Sequence, residues 1–219
     1  MYFTHMPLNP TRRGTRDLVA SPQRMHAAVL AGFLPDVADR DRILWRLDNP
    51  ERHRLDLYVV SPQEPSFEGL ADQAGWPAQP TWRTAPYEPL LDSLEAGQQW
   101  VFRLRANPVR SMRMGDGERG RRVPISGEEN RMDWLLRQGV AHGFTVPSGA
   151  HDRPNARVSE ERTEQFRRRS GTGNVTLKTV TFDGLLQVTD PVALREALLS
   201  GLGPAKGYGC GLVTLARPT

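Results

Sequence analysis

The sequence predicts an α+β protein made of two ferredoxin-like (RRM-like) β-α-β-β-α-β units in tandem, residues 1–90 and 97–219. Three observations carry that prediction. A strand-like opening is followed by a proline-started helix and two further strand-like runs. The same order returns after residue 97. A glycine-punctuated stretch then leads into a closing strand.

In the first half, Tyr2 to Leu8 is the opening strand. Ser21 and Pro22 form an N-cap followed by a first-turn proline, which starts a helix. Met25, Val29, Gly32 and Phe33 share one helical face, and the helix is expected to end near Pro35. Arg42 to Leu47 and Arg54 to Val60 are expected to pair as strands. A short helix over Phe67 to Ala74 and a last strand over Trp82 to Tyr87 complete the unit.

In the second half, Gln99 to Arg105 is a strand and Arg119 to Ile125 is weakly extended. Ser126 with Glu129 spells a capping box. It opens a helix whose apolar face is Met132, Leu135, Leu136, Gly139 and Val140. Asn155 to Arg169 and Asn174 to Val188 are expected to form a hairpin around Ser170-Gly171-Thr172-Gly173. Asp190 and Pro191 start the last helix, Gly201 stops it, and Gly211 to Arg217 is the closing strand.

Charge divides the chain. Residues 1–96 hold ten Arg against thirteen Asp or Glu, a net of −3; residues 97–219 hold nineteen Lys or Arg against twelve acids, a net of +7. The second half is therefore expected to face a polyanion. No apolar run reaches membrane-spanning length, and the opening MYFTHMPLNP has no basic, apolar leader, so a cytoplasmic protein without membrane contact is expected. The one cysteine, Cys210, excludes an internal disulfide. No His, Cys and carboxylate pattern has metal-ligand spacing, and neither a metal nor another cofactor is expected.

Gly201 to Gly211 holds five glycines in eleven residues. Such a backbone can approach a phosphate closely and aim several N–H groups at it. One or two of those glycines would suffice for a plain helix stop, and the stretch lacks the Gly-Lys-Ser/Thr of a P-loop. His26 lies in the second turn of the first helix, at the edge of its apolar face. A histidine there is commonly structural; near a helix N-terminus the macrodipole also favours the neutral imidazole, which suits a general base, an effect that fades beyond the first turn. Arg153, Arg157, Arg162 and Arg167-Arg168-Arg169 line one arm of the hairpin, diluted by Glu160, Glu161 and Glu164. Such a ribbon can lie along a nucleic-acid groove or be an ordinary solvated surface. Gly115, Gly117 and Gly120 suggest a loop inside a second basic stretch. No strand has the interleaved aromatics that stack single-stranded bases.

Together these features resemble the CasE family of type I-E CRISPR systems. MYFTHMPLNPTRRG looks like the family's first strand and loop, Ser-Pro-Gln-Arg-Met-His like its catalytic helix, and Gly201 to Gly211 like its C-terminal glycine-rich loop. The resemblance implies tandem ferredoxin-like domains that bind the stem-loop of a CRISPR repeat and cut at the 3′ base of the stem. It also implies retention of the product alongside the other Cascade subunits. His26 matches the catalytic histidine. Gln23 stands where the family often has a tyrosine. Gln23, Lys206, Gly207, Arg157, Arg162, Arg167, Arg168 and Arg169 are the implied RNA-binding residues.

In that chemistry the RNA supplies its own nucleophile, a 2′-hydroxyl. His26 would assist removal of its proton or protonate the 5′-oxygen, and Lys206 or another cation would stabilise the phosphorane. Two other readings stay open. One is a subunit of the same fold that binds an RNA hairpin without cutting it, with Gln23 marking a decayed site. The other is a module whose basic surface meets an acidic protein.

Overall fold

The computed structural model describes residues 1–40, 42–51, 53–77, 81–112, 121–167 and 174–218. The first unit runs β1 (Tyr2–Leu8), α1 (Arg13–Val19), α2 (Pro22–Leu30), α3 (Pro35–Arg40), β2 (Leu44–Glu51), β3 (Arg54–Ser61), α4 (Glu68–Ala74) and β4 (Arg83–Pro86). Its sheet has the order β2-β3-β1-β4 with every pair antiparallel. That is the ferredoxin-like arrangement, in which the two hairpin strands flank β1 on one side and the last strand closes the other.

After α5 (Glu88–Asp92), the second unit runs β5 (Gln99–Ala106), β6 (Val109–Met112), β7 (Arg121–Pro124), α6 (Glu128–Ala141), β8 (Phe144–Thr145), β9 (Ala156–Arg167), β10 (Asn174–Val188), α7 (Pro191–Ser200) and β11 (Val213–Ala216). β11, β5, β10 and β9 repeat the same strand order, and β8 extends the β9 edge by pairing with the far end of β10. β6 and β7 form a separate two-stranded ribbon between β5 and α6.

Several expectations are corrected. The first helix stops at Leu30, and Pro35 begins α3 instead of ending α2. This suits a residue that lacks an N–H and fits a helix's first turn. α1 was not foreseen, because RGTRDLV has too few apolar residues for a helical stripe. The capping box is not formed: Gly127, at φ 87°, is the N-cap of α6 and no side chain caps it. Val140 is 77% exposed, so the apolar face of α6 rests on Trp134, Leu135 and Gly139. Arg168, Arg169, the Ser170 to Gly173 turn, and Gly115, Gly117 and Gly120 lie outside the described residues.

The alternation of β2 decides how the two units meet. Trp45 and Leu47 pack toward Met25, Val29, Met6, Leu8 and Leu57, the core beneath α2. Leu44 points the other way and joins a second core with Phe102, Leu104, Phe182, Leu198 and Leu212 of the second unit. Arg46 follows Leu44 and is 1% exposed. Its guanidinium donates to the carbonyls of Arg103 (2.9 Å) and Leu212 (3.1 Å), to the Asp48 carboxylate (2.8 and 2.9 Å) and to Thr214 Oγ1 (2.9 Å). A buried cation needs its donors satisfied in this way.

Candidate active site

α2 presents His26 because Pro22, Met25 and Val29 anchor its buried side. One position beyond Met25, the imidazole falls at the rim of the core and is half-buried. Its Nδ1 lies 3.2 Å from the indole Nε1 of Trp45, which donates to it. Burial lowers the His26 pKa below the ordinary 6.5, so the ring is neutral at physiological pH.

The glycine-rich stretch closes over the opposite side of that ring. A short 3-10 turn, Lys206–Tyr208, lies between Ala205 and Gly209, both with left-handed backbone. It packs against α2 and β2. A methyl group on Gly207 would stand 3.4 Å from His26 Nε2, so the bare backbone is what leaves that nitrogen room. Gly209, at φ 76°, lies on the six-membered ring of Trp45; a Cβ there would be 2.7 Å from Cζ3. Trp45 therefore touches both the histidine and the loop, and its place in the site was not foreseen from sequence.

Lys206 belongs to the same turn. Partial burial, and secondarily the charge of Arg42, lower its pKa from the usual 10.5. Two cations close enough to repel form a favourable place for a phosphate. Gln23 is half-buried one helical turn before His26, on the same side of α2. The structure thus brings His26 together with the turn that holds Lys206 and Gly207, with Gln23 one helical turn before His26, drawing on the start of one unit and the end of the other.

Arg157 and Arg162 lie on the hairpin strand β9. A bulge in β9, opposite Thr181 and Phe182, inserts one residue. Arg157 and Arg162 are five apart and would otherwise lie on opposite faces; the extra residue puts both on the face shared by Glu160 and Glu164. Arg162 is paired with Glu160 at 2.5 Å, and Glu164 with Arg105 at 2.7 Å. Arg157 is exposed, and among the described residues it has no ion pair. Arg167 ends β9, and its side chain is outside the described set. Phe166 reaches the glycine-rich stretch, where its ring meets that of Tyr208.

Among the described residues no three His, Cys, Asp or Glu side chains gather as a metal site. No described helix is long and apolar enough to cross a membrane.

Comparison with known proteins covers nearly the whole chain. A family model described as CRISPR associated protein matches residues 1–217. The CRISPR-associated endoribonuclease Cse3 of Thermus thermophilus is 30% identical over 99% of this chain and 100% of its own. The Cascade subunit CasE of Escherichia coli is 32% identical over 56% of this chain and 60% of its own. Among solved structures, Cse3 bound to a 19-nucleotide RNA superposes with a TM-score of 0.83 at 28% identity, covering 99% of this chain and 100% of that one. Thermus thermophilus Cse3 bound to an RNA representing a pre-cleavage complex gives 0.80 at 27% identity, with 99% and 98% covered.

Proposed function

The chain belongs to the CasE/Cse3 family of CRISPR-associated proteins, and from that premise we propose that it is an endoribonuclease that processes CRISPR repeat RNA. It binds the repeat stem-loop and cuts at the 3′ base of the stem without a metal ion. It then keeps the product as a Cascade subunit. Residues 1–90 supply the helix carrying His26, and residues 97–219 supply the basic hairpin and the glycine-rich loop.

One observation carries the reading. His26 is neutral, and its Nε2 is held at the edge of a glycine-rich loop that also brings Lys206. Attack by a 2′-hydroxyl forms the O2′–P bond and breaks the P–O5′ bond. The products are a 2′,3′-cyclic phosphate and a 5′-hydroxyl, so one proton leaves O2′ and one reaches O5′. No water need attack phosphorus, and no metal need activate one. His26 assists one of those two proton movements, at O2′ or at O5′, an effect worth about 10²–10⁴-fold. Lys206, Gly207 and Gln23 hold the phosphate in line, and Arg157, Arg162 and Arg167 to Arg169 hold the stem.

The test is cleavage of a labelled repeat hairpin in excess EDTA, with wild type beside His26→Ala. Cutting that persists in EDTA, disappears in His26→Ala and disappears with a 2′-deoxy nucleotide 5′ of the cut supports the proposal. Loss in EDTA restored by Mg²⁺ overturns it. Tight binding with no cutting by the wild type would favour the non-cleaving subunit that Gln23, in place of tyrosine, suggests.

A further inference from the structure

We propose that Trp45 is a positioning residue for this site: its indole N–H locks His26 in the tautomer that carries the proton on Nε2. The ring then offers a hydrogen-bond donor, not a lone pair, to the space beside Gly207. The inference rests on the reading of His26 as the group that acts on the RNA.

The reasoning starts from what an indole can do. Its N–H only donates, so whatever it bonds must accept. With Trp45 Nε1 3.2 Å from His26 Nδ1, Nδ1 keeps its lone pair, and a neutral ring has only Nε2 left for its proton. The hydrogen bond made by one ring nitrogen fixes the state of the other. Trp45 has little freedom to release its partner. It is 1% exposed, packed with Met25 and Val29, and covered by Gly209.

This separates two tasks that a histidine could perform here. Taking the proton of the 2′-hydroxyl requires a bare nitrogen, whereas stabilising the 5′-oxygen or a non-bridging phosphate oxygen requires an N–H. The locked tautomer supplies the second. To act as a base through Nε2, the ring would first have to carry its proton on Nδ1, pointed at the N–H of Trp45. Trp45 also joins the two walls of the site, since it bonds the histidine at one end of its ring system and bears Gly209 on the other. Strand alternation alone marks such a residue as core.

The test begins with the wild-type protein without RNA, labelled with ¹⁵N and held at a pH well above 6.5, the ordinary histidine value. Long-range ¹H–¹⁵N correlation should show Nδ1 of His26 unprotonated and Nε2 protonated, with a scalar coupling from Trp45 Nε1 to Nδ1 across the hydrogen bond. A proton on Nδ1, or an even mixture of tautomers, overturns the proposal. Trp45→Phe should abolish the coupling, mix the tautomers and slow single-turnover cleavage roughly tenfold, the usual worth of one lost hydrogen bond. Hairpin affinity should be unchanged. Because the smaller ring could upset packing, the sulfur isostere of tryptophan (benzothienylalanine) installed at position 45 keeps the shape and removes only the N–H. It should slow cleavage as Trp45→Phe does, and wild-type cleavage by the isostere overturns the positioning role. If His26→Ala cuts normally while the coupling is present, the reading of His26 fails and the tautomer assignment, measured without RNA, stands.

Discussion

Phe166, next to the last residue of strand β9, lies with its ring centroid 4.8 Å from that of Tyr208 in the glycine-rich loop, the planes tilted by 60°. The hairpin arm and the loop beside His26 are therefore in direct contact. An aromatic pair of this kind contributes about 0.5–1.5 kcal/mol beyond its buried area. Phe166→Ala should slow cleavage while leaving global stability little changed, because both rings sit away from the two cores. Limited proteolysis should show the arm and the Lys206 to Gly209 segment becoming susceptible together. Independent susceptibility would mean that the contact does not couple them.

Gly207→Ala should fold normally, since its backbone is not in the left-handed region, yet its methyl group would lie 3.4 Å from Nε2 of His26. At that distance the methyl leaves the ring in place but fills space beside Nε2 that a reacting phosphate would use, and a substrate displaced by about 1 Å reacts roughly 100-fold more slowly. Single-turnover cleavage should fall by that order, with hairpin affinity nearly intact. Gly209→Ala should instead destabilise the protein, because it combines positive φ with a Cβ pressed onto Trp45. Urea unfolding of the two variants separates an effect on chemistry from one on stability.

Arg157 and Arg162 share a face of the hairpin, and among the described residues only Arg162 of the two is tied to a carboxylate. A paired guanidinium has already lost part of its charge to its neighbour. Arg157→Gln should therefore flatten the dependence of log K on log salt by about 0.7–0.9, the contribution of one neutralised phosphate. Arg162→Gln should change it less. Filter binding of an uncleavable hairpin over a salt series reads both slopes, and a larger change for Arg162 would count against the assignment.

The lowered pKa of His26 also ties stability to pH. The unfolded chain, with an ordinary value near 6.5, takes up this proton more readily than the folded protein does. The contribution is fully present above 6.5 and is lost as pH falls through the lower folded value. Urea midpoints measured from about pH 7.5 down to about pH 5 should decline in the wild type. In His26→Gln that part of the decline should be missing, and identical profiles would show that the folded histidine titrates normally.

Most of the fold was legible because its signals are local. Pro22 and Pro191 mark helix starts, Gly201 marks a helix end, and the paired runs about β2, β3, β9 and β10 carry strand composition. His26, Lys206 and Gly207 stood out because a histidine beside a helix start and a glycine-dense turn are unusual in sequence. Features that depend on partners distant in the chain stayed hidden. Ser126 and Glu129 have the spacing of a capping box, but Gly127 takes the cap position. Val140 continues a helical stripe in sequence and still faces solvent. The bulge that puts Arg157 beside Arg162 leaves no mark in the sequence of β9, and strand alternation makes Trp45 a buried ring without indicating that it meets a histidine.

Arg46 gives the molecule a mechanical character that its two-sheet layout conceals. Its guanidinium belongs to the first sheet, where it is tied to Asp48 of the same strand, yet three of its hydrogen bonds, to Arg103, Leu212 and Thr214, close only when both sheets are in place. Pulling the sheets apart would break those three bonds and would bare Leu44 to water. Neither sheet is then an independent part. The chain should melt in one step, and a mutation that loosens the closing strand should disturb His26 more than 150 residues earlier in the sequence. The hairpin arm and the His26 site are thus parts of one body.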